Sequence, residues 1–327
     1  MDALSRIHTI KVPTPFPVGP VNCYLVEGEP LTLIDTGPKS DESLSALDTG
    51  VREAGYSLGD IEQIVLTHGH VDHTGLTATI IRSRVALGRE PPSVHVHKAD
   101  GDRVRTYEDF TINRVGSYFN IIDLAGTPAN ERPRAPRRIM TDYFLGFGES
   151  ASGIQLLEDG STISTGLGEL ETLWVPGHSP GSTCFACEEA SIIFSGDHIL
   201  ATISSNPSID FENEVEISML RYFDSLSRIM KYDGLIALPG HRNPVMDITS
   251  RVESLREEYT EKFEKMKTFL GEEPQTLYHL SRKLYGDYAE SSMVLALAET
   301  YDVLRVLSKE GQAQIETRDG VVRASLQ

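Results

Sequence analysis

The sequence predicts an α/β protein with a helical appendage at its C-terminal end, and three observations carry that expectation. Strand and helix patterns alternate through the first hundred residues. The histidines and aspartates suited to chemistry stand where an apolar strand gives way to a glycine-containing turn. From Thr249 the composition changes to charged, amphipathic helix. A chain of 327 residues suits one large domain or a main domain with a smaller appendage, here read as residues 1–248 and 249–327.

The elements follow in order. "RIHTIKV", "VNCYLVEG" and "LTLIDTG" read as strands, the first break carrying Pro13, Pro15, Pro17 and Pro20. "SDESLSALDTGVREAG" has acids at its start and apolar residues at helical spacing, so it predicts an amphipathic helix. "IEQIVLT" is an apolar strand leading directly into "THGHVDHTG". "LTATIIRSRVALG" reads as the next helix and "SVHVHKAD" as a strand. Residues of about 101–150 break this rhythm: aromatic, arginine-rich and punctuated by prolines, they predict a partly helical insertion, either a lid or an oligomer contact that would make a homodimer. "GIQLLEDGSTIS", "GELETLWVPG", "STCFACEEA" and "SIIFSGD" are short strands, "NEVEISMLRYFDSLSRIMKY" a helix and "GLIALPGH" a buried strand. Helices then run from "SRVESLREEYTEKFEKMKTFL" through "TLYHLSRKLYG" to "SMVLALAETYDVLRVLSKEG". The end folds as a hairpin turning at Asp319-Gly320, a winged-helix-like arrangement.

Composition narrows the function. A hydrophobic content of 39% with 24% charged residues is that of a water-soluble globular protein. No run of about 18 apolar residues predicts a membrane span, and the N-terminus does not read as a signal peptide. A net charge of −18 repels a polyanion and argues against nucleic acid as partner. The three cysteines, Cys23, Cys184 and Cys187, suit a reducing cytoplasm. Cys184 and Cys187 stand three apart in a predicted strand, facing opposite sides, so they read as buried thiols rather than a metal knuckle.

Chemistry concentrates in "THGHVDHTG", which places His68, His70, Asp72 and His73 within six positions of a chain with ten histidines. His68 and His70, two apart, can present their rings together, and Gly69 lets the backbone between them bend. Imidazole and carboxylate are preferred ligands of Zn2+ and related ions. Three further sites repeat the strand-to-turn context: "VPGHSPGS" with His178, "FSGDHIL" with Asp197 and "LPGHRNP" with His241. Such strand ends are where open α/β architectures place functional groups. His198, next to Asp197, is either a hydrogen-bonding neighbour of the site or a structural residue. His95 and His97 lack the turn context and read as structural; His8 and His279 read as ordinary.

With these motifs the chain resembles the metallo-β-lactamase superfamily, in its glyoxalase II-like hydrolase branch, over roughly residues 6–248. "NCYLVEGEPLTLIDTG" is similar to the family's opening strands, with Asp35 as its motif aspartate. The resemblance implies a four-layer αβ/βα sandwich with two divalent metal ions at one edge of two packed sheets. His68, His70 and His178 would hold one ion, Asp72, His73 and His241 the other, and Asp197 would bridge them. Asp35 would orient ligands through hydrogen bonds. His70 is a histidine where flavodiiron relatives carry glutamate, and the basic residues that bind glutathione in true glyoxalase II are not recognisable.

The implied activity is hydrolysis of a small ester, foremost a thioester of the acyl-CoA or hydroxyacylglutathione type, by hydroxide bridging the two metals. Asp197 would position the pair and Asp72 would accept or relay a proton. Zinc leads the candidates, with Fe and Mn2+ suited almost equally. Among the arginines of the insertion, Arg134, Arg137 and Arg138 could hold an anionic handle of a small-molecule substrate. The same motifs leave open a nuclease or phosphodiesterase, a lactonase, and a mononuclear iron persulfide dioxygenase.

Overall fold

The computed structural model describes residues 3–208 and 216–327. The first sheet assembles in chain order: β1 (Ile7–Val12), β2 (Val21–Val26), β3 (Thr32–Ile34), β4 (Gln63–Val65), β5 (Ser93–His97) and β6 (Ile154–Leu157) lie side by side. β1 to β3 pair antiparallel; from β3 to β6 the strands are parallel, as the intervening helical crossovers require. α1 (Asp41–Glu53), α2 (Val71–Thr74) and α3 (Thr77–Val85) supply the earlier crossovers. Ser40 caps α1 by accepting the Ser43 N–H at 3.0 Å, and Asp41 and Glu42 complement the helix N-terminus. Leu47 and Val51, four apart, then fall on its buried face.

The insertion is helical, as expected: α4 (Gly101–Arg105), α5 (Tyr107–Leu124) and α6 (Arg137–Leu145). Its outer half is largely exposed, whereas Ile121 and Ile122 at the far end of α5 are fully buried in the core. The second sheet has the order β11-β10-β9-β8-β7, formed by β7 (Thr162–Thr165), β8 (Gly168–Trp174), β9 (Thr183–Cys187), β10 (Ile192–Gly196) and β11 (Ile236–Pro239). Its pairs are antiparallel except β10 with β11, which α7 (Ser218–Ile229) separates along the chain. The first three residues of the helix predicted from Asn213 lie outside the described residues; the helix proper begins at Ser218.

Three buried clusters reveal the layering. Cys23, Leu25, Leu33 and Ile64 of the first sheet pack under α1 and α3. Their alternate neighbours Tyr24, Val26, Ile34 and Val65 face Phe185, Cys187, Ile192 and Phe194 of the second sheet. The opposite face of that sheet, with Leu173, Cys184 and Ile193, packs under α7 and the C-terminal helices. The period-two alternation of each strand thus feeds two separate cores, giving helix, sheet, sheet, helix. Cys184 and Cys187 fall in different cores, as their spacing predicts.

The C-terminal region comprises α8 (Ile248–Phe269), α9 (Leu277–Tyr285) and α10 (Met293–Lys309), with β12 (Gln275–Thr276), β13 (Ala313–Arg318) and β14 (Val321–Leu326) as a small sheet. Asp319 and Gly320 both take positive φ, 52° and 75°, as a tight two-residue hairpin turn demands. Val252, Leu297, Leu304 and Ala324 belong to the same buried cluster as Leu173 and Leu226, so this region shares its core with the second sheet. Among the described residues, no helix is long and apolar enough to cross a membrane.

Candidate metal centre

Four loops converge at one edge of the two sheets. β4 ends at Val65 and is followed by His68 and His70, and α2 then carries Asp72 and His73. The turn between β8 and β9 carries His178, Asp197 follows β10, and His241 follows β11. The sheets are tied together here: Asn22 N–H donates to the Gly240 carbonyl at 2.6 Å, and the Tyr24 hydroxyl donates to the Pro239 carbonyl at 2.7 Å. All seven residues expected as ligands lie at this edge. His68, His70 and His178 form one group, His68, His73 and Asp197 a second, and Asp72, His73 and His241 a third, each with its ligand atoms within 4.8 Å of one another.

Asp197 occupies the middle. Its Oδ1 lies 3.6 Å from His73 Nε2, and its Oδ2 lies 3.7 Å from His178 Nε2 and 3.5 Å from His241 Nε2. Asp72 Oδ2 lies 3.4 Å from His241 Nε2. The imidazoles are aimed from behind: Nδ1 of His73 contacts Asp35 at 2.8 Å, Nδ1 of His241 contacts the Pro20 carbonyl at 2.9 Å, and Nδ1 of His178 contacts the Ser205 carbonyl. Holding Nδ1 in this way turns Nε2 towards the centre. His70 is reversed, with Nδ1 3.0 Å from His68 Nε2.

The donor set fits a metal. Nε2 of His73 and Nε2 of His241 are buried and have no hydrogen-bond partner among the described residues. Buried polar atoms rarely stay so, and a cation between them would satisfy both. Burial and the surrounding imidazoles push His68 well below its ordinary value, which leaves it as the neutral ligand form. Burial would also lower His73 and His241, yet Asp35, Asp197 and Asp72 outweigh it at His73, and Asp197 and Asp72 outweigh it at His241, raising both. For Asp72 burial works upwards, but His73 and His241 hold it down at about 2; the same balance carries Asp197 lower still. This negative field, lined with imidazoles, suits divalent metal ions.

Asp35 lies behind the cluster, against His73. At positive φ of 57°, which aspartate tolerates better than most residues, it accepts the Thr67 N–H at Oδ1 and the Thr67 hydroxyl at Oδ2, both at 2.8 Å, besides meeting His73. His198 is buried edge-on to Tyr222, its ring centroid 5.4 Å away, and burial lowers it to about 3. His97 stacks on Trp174 at 5.1 Å. Of the insertion's arginines, Arg138 is exposed beside Asp142, Arg137 lies along Gly116 of α5, and the backbone of Arg134 donates to Glu290.

Neither Arg114 nor Asp100 stands out in the sequence. Arg114 on α5 brings Nη2 to 3.3 Å from His70 Nε2, while its Nε donates to the Tyr118 hydroxyl at 2.6 Å. Its four-residue spacing from Tyr118 and from Phe110 was a signal that could have found it. Gly69 also has another reason than the one expected. A β-carbon there would come within 2.5 Å of Arg103 Cδ, so the glycine makes room for packed side chains.

Comparison with known proteins agrees with this geometry. The pattern of the Metallo-beta-lactamase superfamily matches residues 16–241. "Probable metallo-hydrolase YqjP" of Bacillus subtilis is 29% identical over 309 residues, 93% of this chain and 92% of that protein. "Atrochrysone carboxyl ACP thioesterase" of Aspergillus fumigatus is 25% identical over 315 residues, 91% of this chain and 59% of the relative. The crystal structure of a metallo-beta-lactamase family protein, TTHA1429 from Thermus thermophilus, superposes with a TM-score of 0.83 at 24% identity, covering 99% of both chains.

Proposed function

We propose, from the premise that this chain belongs to the metallo-β-lactamase superfamily and is a metal-dependent hydrolase, that it uses two divalent ions to cleave a small acyl thioester. The observation that carries the two-ion reading is the position of Asp197, whose carboxylate lies 3.7 Å from His178 of one ligand group and 3.6 and 3.5 Å from His73 and His241 of the other. His68, His70 and His178 would hold one ion, and Asp72, His73 and His241 the other. When bound, such ions supply Lewis acidity, polarising a carbonyl and making water a nucleophile near neutral pH.

The chain's own groups supply the rest. Asp197 keeps the two ligand groups together, and Asp35 fixes the ring of His73. Asp72, 3.4 Å from His241, is the carboxylate that would accept or relay a proton. Arg114 stands at the centre itself and offers a guanidinium to the anionic part of a substrate; Arg134, Arg137 and Arg138 would serve a more distant handle on the same insertion. The thioester reading, and with it a place near the glyoxalase II-like hydrolases, is supported by a relative named as an acyl carrier protein thioesterase. Zinc is our first choice of metal.

The test sets metal-loaded protein against acyl thioesters and activated phosphodiesters, with a chelated control. Chelator-sensitive turnover of thioesters is expected, with Arg114→Ala raising KM by about tenfold, the size of one lost charge-assisted contact. Turnover of phosphodiesters alone would overturn the substrate class. Turnover that survives chelation would overturn the metal-dependent mechanism.

A further inference from the structure

The loop carrying His68 and His70 comes from the first sheet and the loop carrying His178 from the second, so something must hold the two in register. The geometry points to Asp100: we propose that it is the positioning residue that clamps these loops together and thereby sets the affinity of the His68, His70 and His178 position. This inference rests on the two-ion reading above.

Asp100 follows β5 and is fully buried. Its Oδ2 accepts the Gly69 N–H at 2.8 Å and the Ser179 hydroxyl at 2.7 Å. Its Oδ1 accepts the Gly181 N–H at 3.0 Å and lies 3.1 Å from Arg103 Nε. Gly69 stands between His68 and His70, and Ser179 directly follows His178. One carboxylate therefore holds both ligand loops, at Gly69 and Ser179 directly beside the ligands and at the Gly181 backbone three residues after His178. The steric imprint agrees with the hydrogen bonds. A β-carbon on Gly181 would come within 2.6 Å of Asp100 Cγ, and one on Gly69 within 3.1 Å of Asp100 Cβ. Gly181 makes room for this side chain, and Gly69 makes room for it together with Arg103. Ser182 completes the second loop, its hydroxyl accepting the Ser179 N–H at 3.0 Å.

An ionised carboxylate accepts at both oxygens, which four donors require. Asp100→Asn keeps the shape but places an NH2 group against two of those donors whichever way the amide turns. Partners that support metal ligands from behind typically cost 10–100-fold in metal affinity when removed.

The experiment is a Co2+ titration of the metal-free full chain, followed by the visible d–d spectrum and by chelator competition. His178→Ala and Asp72→Ala identify which binding step belongs to which position. Asp100→Asn should weaken the His178-dependent step by about 10–100-fold and change its spectrum, with the Asp72-dependent step nearly unmoved. Ser179→Ala, which removes one donor and leaves the carboxylate, should weaken the same step by less, and it covers the case in which Asp100→Asn does not fold. A residue that only stabilised the fold would lower the unfolding temperature without changing the ratio of the two affinities; that outcome, or equal loss at both steps, overturns the proposal. The wild-type stoichiometry tests the underlying reading separately: one Co2+ per chain ends the two-ion reading, and the clamp then stands only if that ion depends on His178. A chain that takes up no Co2+ ends both.

Discussion

Single side chains decide this centre by how closely they approach. A β-carbon on Gly240 would meet Asp197 Oδ1 at 2.4 Å and His73 Cε1 at 2.6 Å, so Gly240→Ala must displace the residue at the middle of the cluster. We expect that variant to fold, judged by circular dichroism, and to lose at least tenfold in metal affinity by chelator competition, the lower range for disturbed ligand support. Asp35 acts from the other side. Asp35→Asn keeps one acceptor for Thr67 but cannot serve Thr67 and His73 as a carboxylate does. Metal content after dialysis should fall by about 10–100-fold in apparent affinity, and an unchanged content would show that His73 is held by packing alone.

Secondary structural elements carry the centre by anchoring the loops behind the ligands. The Ser205 carbonyl that orients His178 belongs to a loop held by α8: Arg251 donates to the Leu200 carbonyl at 2.7 Å and to the Ile203 carbonyl at 2.9 Å. A C-terminal helix thus reaches His178 of the candidate metal centre through one loop. Hydrogen bonds from charged groups contribute about 1.5–3 kcal/mol each, with non-additive losses, so Arg251→Ala should cost about 2–4 kcal/mol in denaturant unfolding and weaken metal binding together. If stability falls while metal affinity holds, α8 supports the fold alone. Among the strands, Phe194 of β10 is fully buried between the sheets, two residues before Gly196 and three before Asp197. Phe194→Ala should cost about 3–5 kcal/mol, the range for emptying such a site.

For the molecule as a whole, folding and metal binding are one equilibrium. The ligands come from both sheets, so a metal bound there favours the folded chain and not the unfolded one. At a free concentration one hundred times its Kd, each ion adds about 2.7 kcal/mol. Chelation should therefore lower Tm, and stepwise metal addition should restore it logarithmically; a Tm indifferent to metal would place the ligands on loops that are ordered at no cost to the fold. The C-terminal region belongs to this same unit. A chain cut at residue 248 would strip α8 and α10 from a buried cluster that includes Leu226 and Ile229. Such a fragment is expected to aggregate, which gel filtration would show.

What the sequence determined by itself is local and periodic. The alternation in "VNCYLVEG" is enough to place Tyr24 and Val26 on one face and Cys23 and Leu25 on the other, because a strand repeats every two residues. The spacing within "THGHVDHTG" and the strand-to-turn contexts of His178, Asp197 and His241 single out the residues that the fold brings together, because metal chemistry constrains residue type and neighbours. What only the tertiary structure decided is everything that depends on two sheets meeting. Asp100 reads as an ordinary acid after a strand until the His68 and His178 loops close around it. Arg114 reads as one of seven arginines between residues 100 and 145 until α5 lays it beside His70. The Pro20 and Ser205 carbonyls that aim His241 and His178 have no side-chain signature at all. Contacts across many residues are chosen by the packing of layers, and no local pattern encodes the surface that a residue will meet.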